Sequence, residues 1–275
     1  MSVPPPRSGL ADPMESDPYD SASLDYQRAS EQFWKFLSLR TVEQMDMRPG
    51  GTVLDVACGP GASSVAAAER VGPEGSVVAL DSSDQMLRMA GERAAARRLG
   101  NVEPRLGDMA QLDLPPDSFD AVISVLGVFY VPDMPALISS MWNVLRPGGQ
   151  LAITTLGPRT FEPAYNIWKE AVRVERPDAT PAYSWERTNE PEGVRSLLLA
   201  AGIENPDVSV EEREVPIRTI DDWWLAVMGS GMRRTVLELG DEAADRVRAS
   251  CDDMLRRAGV ATIRMSAIYA LATKG

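Results

Sequence analysis

The sequence predicts an α/β protein: a Rossmann-like, mostly parallel seven-stranded sheet with helices on both faces, an antiparallel last strand and helical cap insertions. Between residues 51 and 155, short apolar runs alternate with helical patterns, which is typical of parallel strands joined by crossover helices. The first run, residues 53–56, is apolar on both faces apart from one carboxylate, as expected of a central parallel strand. Late in the chain, two strands flank a long connection, which predicts that the last strand reverses.

The elements follow in order along the chain. Apolar positions at helical spacing predict a first helix at 23–46. Apolar runs then predict strands, and the amphipathic patterns between them predict helices. The strands are expected at 52–57, 76–80, 102–106, 121–125, 150–155, 208–217 and 261–273, and the helices at 62–71, 84–99, 134–145 and 192–201. Gly202 ends the last of these helices as a C-terminal cap.

Two segments, 157–190 and 218–259, do not fit the alternation of strands and helices. Both are too long to be simple loops, and both combine helical patterns with aromatic residues. They are therefore expected to form caps over the carboxyl edge of the sheet. Residues 1–20 are rich in Pro, Ser and Asp, which predicts a disordered lead-in. We expect an N-terminal helical cap at 21–50 and one main domain at 51–275 that carries the two insertions.

The composition limits the classes of partner. The 275 residues carry a net charge of −12, which argues against nucleic acid as the main partner because phosphate contacts need clustered Lys and Arg. No apolar run reaches the ~18 residues of a membrane span. Two cysteines and no histidine give no disulfide framework, no metal spacing and no histidine-based triad. A cytoplasmic protein with a small-molecule substrate fits, and monomer and homodimer both remain open.

A glycine-containing turn follows the first strand and predicts a nucleotide-like ligand. Gly59 and Gly61 let the backbone approach a ligand closely, and an acid, Asp81, follows the second strand. A nicotinamide fold needs a third glycine, where this chain has Ser64. The turn alone therefore leaves two nucleotide cofactors open.

Three further features separate those cofactors. Asp55 lies inside the first strand, where a carboxylate suits a cofactor with a cationic amino-acid end and suits a pyrophosphate badly. Asp108 and Met109 follow the third strand, where a carboxylate can accept from an adenine amino group. Residues 145–150 make a sharp turn into the fifth strand. These features disfavour a nicotinamide reductase.

Together, five motifs in this order resemble the class I S-adenosylmethionine-dependent methyltransferases, and most closely the small-molecule group that includes the ubiquinone/menaquinone biosynthesis enzymes. The resemblance covers residues 45–157 strongly, and the later strands by topology only. One departure is Ala57, where the family often has glycine. The motifs are Val53-Leu-Asp-Val-Ala-Cys-Gly-Pro-Gly61, Val78-Ala-Leu-Asp81 with Met86, Gly107-Asp-Met109, Phe119-Asp-Ala-Val-Ile-Ser124 and Leu145-Arg-Pro-Gly-Gly149.

The resemblance implies that S-adenosyl-L-methionine is the cofactor and assigns its binding residues. One group would line the methionine end and the ribose: Asp55, Ala57, Gly59 and Gly61. A second would hold the ribose hydroxyls and the adenine: Asp81, Ser82, Met86, Asp108 and Met109. A third would border the sulfonium or close over the methionine: Ser124, Leu126, Tyr26 and Trp34. Met86 could instead be plain core.

The acceptor is expected to be a hydrophobic small molecule. Aromatic and methionine side chains of the insertions would contact it: Trp168, Trp185, Trp223, Trp224 and Met228. Because Trp223 and Trp224 are adjacent, one of them is expected in the core. Tyr130 and Asp133 lie beyond the fourth strand and are the candidate bases, although Asp133 could simply cap a helix.

In-line methyl displacement releases a neutral thioether, so alignment and water exclusion can suffice. An alternative is a protein of this fold that binds the cofactor but catalyses a cyclisation or another rearrangement.

Overall fold

The computed structural model describes residues 18–178 and 182–275, with side chains from residue 24 onward. It begins with helices α1 (Pro18–Ala29) and α2 (Lys35–Glu43), which a π-helical turn, Ser30–Trp34, joins. The strands are β1 (Thr52–Val56), β2 (Ser76–Asp81), β3 (Val102–Leu106), β4 (Phe119–Val125), β5 (Leu145–Leu156), β6 (Asp207–Pro216) and β7 (Thr262–Thr273). The other helices are α3 (Ala62–Val71), α4 (Asp84–Ala96), α5 (Met134–Asn143), α6 (Ala164–Glu175), α7 (Pro191–Ala200), α8 (Ile220–Met228), α9 (Met232–Leu239) and α10 (Asp241–Arg257). Short 3-10 turns lie at Met109–Gln111, Val128–Tyr130 and Ser184–Thr188.

The seven strands form one sheet in the order β3-β2-β1-β4-β5-β7-β6. Strands β1 to β5 pair in parallel, and β7 runs antiparallel to both β5 and β6. This confirms the predicted fold class, including the reversal of the last strand. The order changes direction between β1 and β4, and in such sheets ligands bind beyond the carboxyl ends of the strands at that point.

Three elements depart most from their predicted boundaries, and each departure has a physical reason. The first helix begins at Pro18 and is divided by the π-helical turn, so part of the expected lead-in is helical and the rest lies outside the described residues. Helix α4 ends at Ala96 rather than at residue 99, because Arg98 has a φ of +58°. Strand β5 starts at Leu145, which pairs with Phe119 across a bulge, so the sharp turn expected before the strand is part of it.

The core lies on both faces of the sheet, and the two insertions extend it. Residues Val53, Leu54 and Val56 of β1 are at most 1% exposed. The first insertion contains α6 and the Ser184–Thr188 turn, and the second contains α8, α9 and α10. Both insertions are therefore helical, and their tryptophans Trp168 and Trp223 are fully buried.

Residues 18–43, called the roof below, bring Tyr26 and Trp34 next to Ala57 and Leu126 at the carboxyl ends of β1 and β4, and their helix α2 packs against α3, β4 and β5. Phe33 and Leu37 are fully buried. The Thr41 hydroxyl lies 2.7 Å from that of Thr154 on β5. Two polar contacts tie the roof to the second insertion: Arg233 Nη1 is 2.8 Å from Asp25 Oδ2, and Gln32 Nε2 donates to Asp222 Oδ1 at 3.1 Å. The roof thus joins the sheet to the helical caps.

Within residues 18–178 and 182–275, no helix combines the length and apolarity needed to cross a membrane. The same part of the chain has no group of three or more His, Cys, Asp or Glu residues placed to hold a metal ion.

Candidate active site

The loop after β1 has the backbone that its sequence predicts. Ala57, Gly59 and Gly61 all have left-handed φ values, of 57°, 53° and 78°. A methyl group added at Gly61 would lie 2.7 Å from Ala90 Cβ, so glycine here lets α3 pack against α4. A methyl group at Gly59 would meet only the Tyr26 ring, at 3.7 Å. Gly59 therefore presents bare backbone to the space beneath the roof.

Ala57, the departure from the family pattern, is accommodated by a second glycine. A methyl group added at Gly127 would lie 2.7 Å from Ala57 Cβ and 2.9 Å from Ser124 Oγ. The small side chain at position 57 is thus matched by the absence of one at position 127. Sequence reasoning missed Gly127, because the contact joins the ends of two strands that are far apart in the chain.

Asp55, near the carboxyl end of β1, is fully buried. Its Oδ2 accepts hydrogen bonds from Ser63 Oγ at 2.7 Å and from Ser64 Oγ at 2.5 Å. Its Oδ1 has no partner among the described residues. Burial raises the pKa of Asp55 to about 6, and nearby Asp81 acts in the same direction. Ser64, which stands where a nicotinamide loop has its third glycine, therefore donates to Asp55 Oδ2. The other oxygen, Oδ1, stays without a partner among the described residues.

Asp81 ends β2 and fixes the glycine loop. Its Oδ2 accepts from the Gly59 amide at 2.8 Å, and its Oδ1 accepts from the Ser83 amide at 3.0 Å. Ser83, which was not predicted, caps α4 by accepting from the Met86 amide at 3.1 Å. The predicted neighbour Ser82 is exposed. Asp81 thus joins the loop after β1 to the end of β2 at the carboxyl edge of the sheet.

The remaining predicted cofactor residues surround the same edge. Met86 is 2% exposed. Asp108 follows β3, where its side chain accepts from the Ala110 amide at 2.8 Å, and Met109 beside it is half-buried. At the end of β4, Ser124 Oγ is buried with no partner among the described residues. Asp108, Met109 and Ser124 thus lie at the ends of β3 and β4, and Met86 lies on α4, which follows β2.

Two small cavities lie beneath the roof and share the wall formed by Tyr26, Trp34 and Leu126. The first, about 20 Å³, adjoins the β1 loop, including Ala57 and Ser63. The second, about 30 Å³, lies on the far side of that wall. Its other lining residues are Phe129, Tyr130, Leu156, Phe161, Trp185, Gly229, Ser230 and Gly231. We call the second cavity the aromatic cavity.

A larger cavity of about 470 Å³ lies at the opposite edge, lined among others by Gly51, Asp120 and Gly149, where strands begin. Ligands of this fold bind at the carboxyl edge, so its size does not make it the site.

The Tyr26 hydroxyl of the aromatic cavity is uncharged. Burial raises the pKa of the Tyr26 hydroxyl, and Tyr130 and Asp81 act in the same direction. The Tyr26 and Trp34 rings lie 5.8 Å apart. Tyr130 is 39% exposed at the cavity mouth, with its ring 4.7 Å from that of Phe129. No Asp, Glu, Lys or Arg occurs among the described residues that line this cavity.

The other predicted acceptor residues are placed differently. Asp133 is exposed and caps α5, accepting from the Ala136 amide at 3.0 Å. Trp185 lines the aromatic cavity. Trp168 and Trp223 are buried behind it, and Trp168 Nε1 donates to the Tyr183 hydroxyl at 3.0 Å.

Trp224 and Met228 are half-buried and do not line the aromatic cavity. Sequence reasoning missed Phe129, Leu156 and Phe161, which do. Among these, Phe161 could have been found from its place in the first insertion.

Comparison with known proteins agrees with this geometry. Residues 53–149 match the family model described as a methyltransferase domain. The chain is 34% identical over 209 residues to nocamycin O-methyltransferase of Saccharothrix syringae, covering 72% of each protein. It is 39% identical over 130 residues to demethylmenaquinone methyltransferase of Listeria monocytogenes serotype 4a, covering 47% of this chain. The chain spans about half the length of that relative, 53%.

The fold is also shared with the solved structure of a protein that has a different activity. The crystal structure of the 4+2 cyclase SpnF superposes with a TM-score of 0.59 at 18% identity, covering 94% of each chain. At this identity the likeness concerns the fold alone. The sheet order, the loop after β1 and the similarity to nocamycin O-methyltransferase lead to one conclusion: this chain belongs to the class I S-adenosylmethionine-dependent methyltransferases.

Proposed function

We propose that this methyltransferase transfers the methyl group of S-adenosylmethionine to a hydroxyl oxygen of an uncharged, hydrophobic small molecule. The observation that carries the proposal is the pair of cavities with a common wall. One adjoins the cofactor loop, and the other is lined by aromatic and aliphatic side chains without a charge. An acceptor in the aromatic cavity would lie next to a cofactor held by the loop, with water largely excluded.

The residues beneath the roof fit the cofactor. Asp55 offers a buried, unpartnered oxygen that suits a cationic amino-acid end, and Gly59 leaves its backbone open. Asp81 would accept from the ribose hydroxyls, and Asp108 from the adenine amino group. When bound, the cofactor supplies an electrophilic methyl group on a sulfonium. The two cavities are far smaller than such a ligand, so the roof must adjust when it binds.

The protein would act by alignment and desolvation. Holding nucleophile and electrophile in line supplies roughly 7–11 kcal/mol of the barrier. Aromatic rings beside a cation add about 0.5–2 kcal/mol by cation–π attraction. Tyr26, Trp34 and Phe129 line the cavities near the ends of β1 and β4 and would act on the sulfonium in this way. An acidic enol or phenol loses its proton without a strong base. Tyr130 is then needed to shape the cavity mouth rather than to remove a proton.

Oxygen is favoured as the methylated atom by the extent of the similarity. The nocamycin O-methyltransferase alignment spans 209 residues and so includes chain outside the family domain at 53–149. The demethylmenaquinone methyltransferase alignment spans only 130 residues. Because the aromatic cavity is built largely outside residues 53–149, the longer alignment bears more directly on the acceptor.

Two measurements test this function. Calorimetric titration with S-adenosylhomocysteine, and with NADH as a control, should give binding of the first alone. The protein is then incubated with labelled S-adenosylmethionine and a panel of neutral phenols and enols, and a methylated product with S-adenosylhomocysteine is expected. Substrate turnover without release of S-adenosylhomocysteine would instead support a rearrangement, the activity class of the cyclase that shares this fold.

Cofactor affinity is expected to depend on the ionisation of Asp55. Because the pKa of this buried carboxyl is raised to about 6, it becomes protonated as the pH falls through that value and ceases to attract a cation. The affinity for S-adenosylhomocysteine should fall by up to about tenfold per pH unit below this point. Titrations across this range measure it. An Asp55→Asn variant should lose the pH dependence, whereas exposed Asp84→Asn should keep it.

Replacement of either candidate base should change kcat only slightly if alignment of the reactants supplies most of the rate enhancement. We expect Tyr130→Phe and Asp133→Asn each to lower kcat by less than about tenfold, whereas a lost general base costs about 10²–10⁴-fold. Asparagine also caps helices, so Asp133→Asn removes the base and keeps the cap on α5. Steady-state kinetics on both variants decides, and a hundredfold loss in either would show that a base is required.

A further inference from the structure

Arg187 makes an unusual set of contacts beside the aromatic cavity. Its Nη1 donates to the carbonyl oxygens of Val131 at 2.8 Å and Phe129 at 3.4 Å, and its Nη2 donates to that of Pro132 at 2.9 Å. Within residues 18–178 and 182–275, no carboxylate forms an ion pair with it. The guanidinium is thus directed at the backbone of a single loop, residues 129–132.

The loop that Arg187 holds carries one wall of the aromatic cavity. Phe129 and Tyr130 lie on the 3-10 turn after β4 and both line the cavity. Trp185, two residues before Arg187 on the Ser184–Thr188 turn, also lines it. The hydrogen bonds of Arg187 therefore connect the wall formed by Phe129 and Tyr130 to the turn that carries the Trp185 wall.

The turn that carries Arg187 is itself fixed to the rest of the protein. Thr155 Oγ1 on β5 donates to the Thr188 carbonyl at 3.0 Å. Glu186 accepts from the Tyr165 hydroxyl at 2.8 Å and from the Tyr183 amide at 3.0 Å. Because this turn is anchored to the sheet and to α6, the contacts of Arg187 place the 129–132 loop relative to a rigid support.

We infer that Arg187 is a positioning residue for methyl transfer: it sets the separation between the Tyr130 wall and the Trp185 wall, and thereby the fit of the acceptor. This rests on the proposed function, in which the aromatic cavity receives the acceptor. A planar guanidinium can donate several hydrogen bonds in fixed directions, which a lysine ammonium on a flexible stem cannot reproduce. The inference concerns the acceptor side, since the hydrogen bonds of the Arg187 guanidinium go to Phe129, Val131 and Pro132 on the loop beside the aromatic cavity.

The matched control is Arg195, which also donates to a backbone carbonyl, that of Pro206 at 2.7 Å. It lies on α7 and does not line the aromatic cavity. We expect Arg187→Ala to lower kcat/KM for the acceptor by about 10–100-fold through both KM and kcat, as misplacement of a reactant does. Arg187→Lys should recover only part of this loss. The Kd for S-adenosylhomocysteine should stay within about twofold in each variant, and Arg195→Ala should resemble the wild type.

A second readout reports the position of the loop without any turnover. The protein is labelled with 3-fluorotyrosine, and the Tyr130 resonance is assigned as the signal absent from Tyr130→Phe. This ¹⁹F resonance should shift or broaden in Arg187→Ala and remain unchanged in Arg195→Ala. An unchanged resonance, or kcat/KM equal to that of Arg195→Ala, would overturn the inference, as would loss of S-adenosylhomocysteine binding in Arg187→Ala. Absence of methyl transfer by the wild type would contradict the proposed function instead, and the fluorine signal would still decide the positioning role.

Discussion

Replacement of Asp81 by alanine is expected to weaken S-adenosylhomocysteine binding by about 10²-fold or more. Hydrogen bonds to a charged group contribute about 1.5–3 kcal/mol each, and Asp81 is proposed to accept from two ribose hydroxyls. The same carboxylate accepts from the Gly59 amide at 2.8 Å, so its removal also frees the loop that faces the ligand. Both effects act in the same direction.

Calorimetric titration at constant pH measures this change, with thermal unfolding recorded for each variant. Asp84→Asn is the control, because Asp84 lies three residues away on α4 and is exposed. It should bind S-adenosylhomocysteine as the wild type does. An Asp81→Ala variant that stays folded and binds S-adenosylhomocysteine with an affinity within about threefold of the wild type would contradict the proposed ribose site at Asp81.

The sheet, and the grouping of the candidate cofactor residues at its carboxyl edge, were predictable because their signals are local. The glycine turn, Asp55 and Asp81 each follow or lie within a strand whose pattern is clear, and parallel strands bring their carboxyl ends to one edge. The topology then placed these residues together without further information. Even Ser64, which in the sequence counted only against a nicotinamide loop, has a local role as a donor to Asp55.

The acceptor side could not be predicted in the same way, because it depends on contacts between distant segments. Arg187 meets the 129–132 loop across more than fifty residues. The aromatic residues of the insertions have helical spacing, which predicts that one face of each helix is buried. It does not predict which part of the protein that face packs against. Trp168 and Trp223 therefore turn out to be fully buried, whereas Trp185, on a short 3-10 turn, lines the cavity.

Three glycines that flank β1 provide the second large effect, because they share a positive φ but differ in their surroundings. Gly50, Gly59 and Gly61 all have positive φ. A methyl group at Gly50 would meet nothing within 4 Å, and at Gly59 only the Tyr26 ring at 3.7 Å. At Gly61 it would lie 2.7 Å from Ala90 Cβ and 2.9 Å from Ala90 Cα. Alanine substitution therefore separates backbone strain from steric overlap.

We expect Gly50→Ala to lower the free energy of unfolding by about 1 kcal/mol, the usual cost of a strained φ. Gly61→Ala should cost a further 1–3 kcal/mol or so, because the overlap forces α3 and α4 apart. Chemical denaturation of both variants measures the difference. Equal losses would mean that the two helices can separate freely at this point, which would contradict the tight packing around Ala90.

Gly59→Ala should differ from Gly61→Ala. Its free energy of unfolding should be close to that of Gly50→Ala, but its affinity for S-adenosylhomocysteine should be lower. The added methyl group points into the space between the loop and the roof, where the ligand backbone contact is proposed. Loss of affinity for S-adenosylhomocysteine without extra destabilisation would separate the ligand-facing glycine from the packing glycine. If Gly59→Ala bound the cofactor normally, the proposed close approach of the ligand to this part of the loop would be excluded.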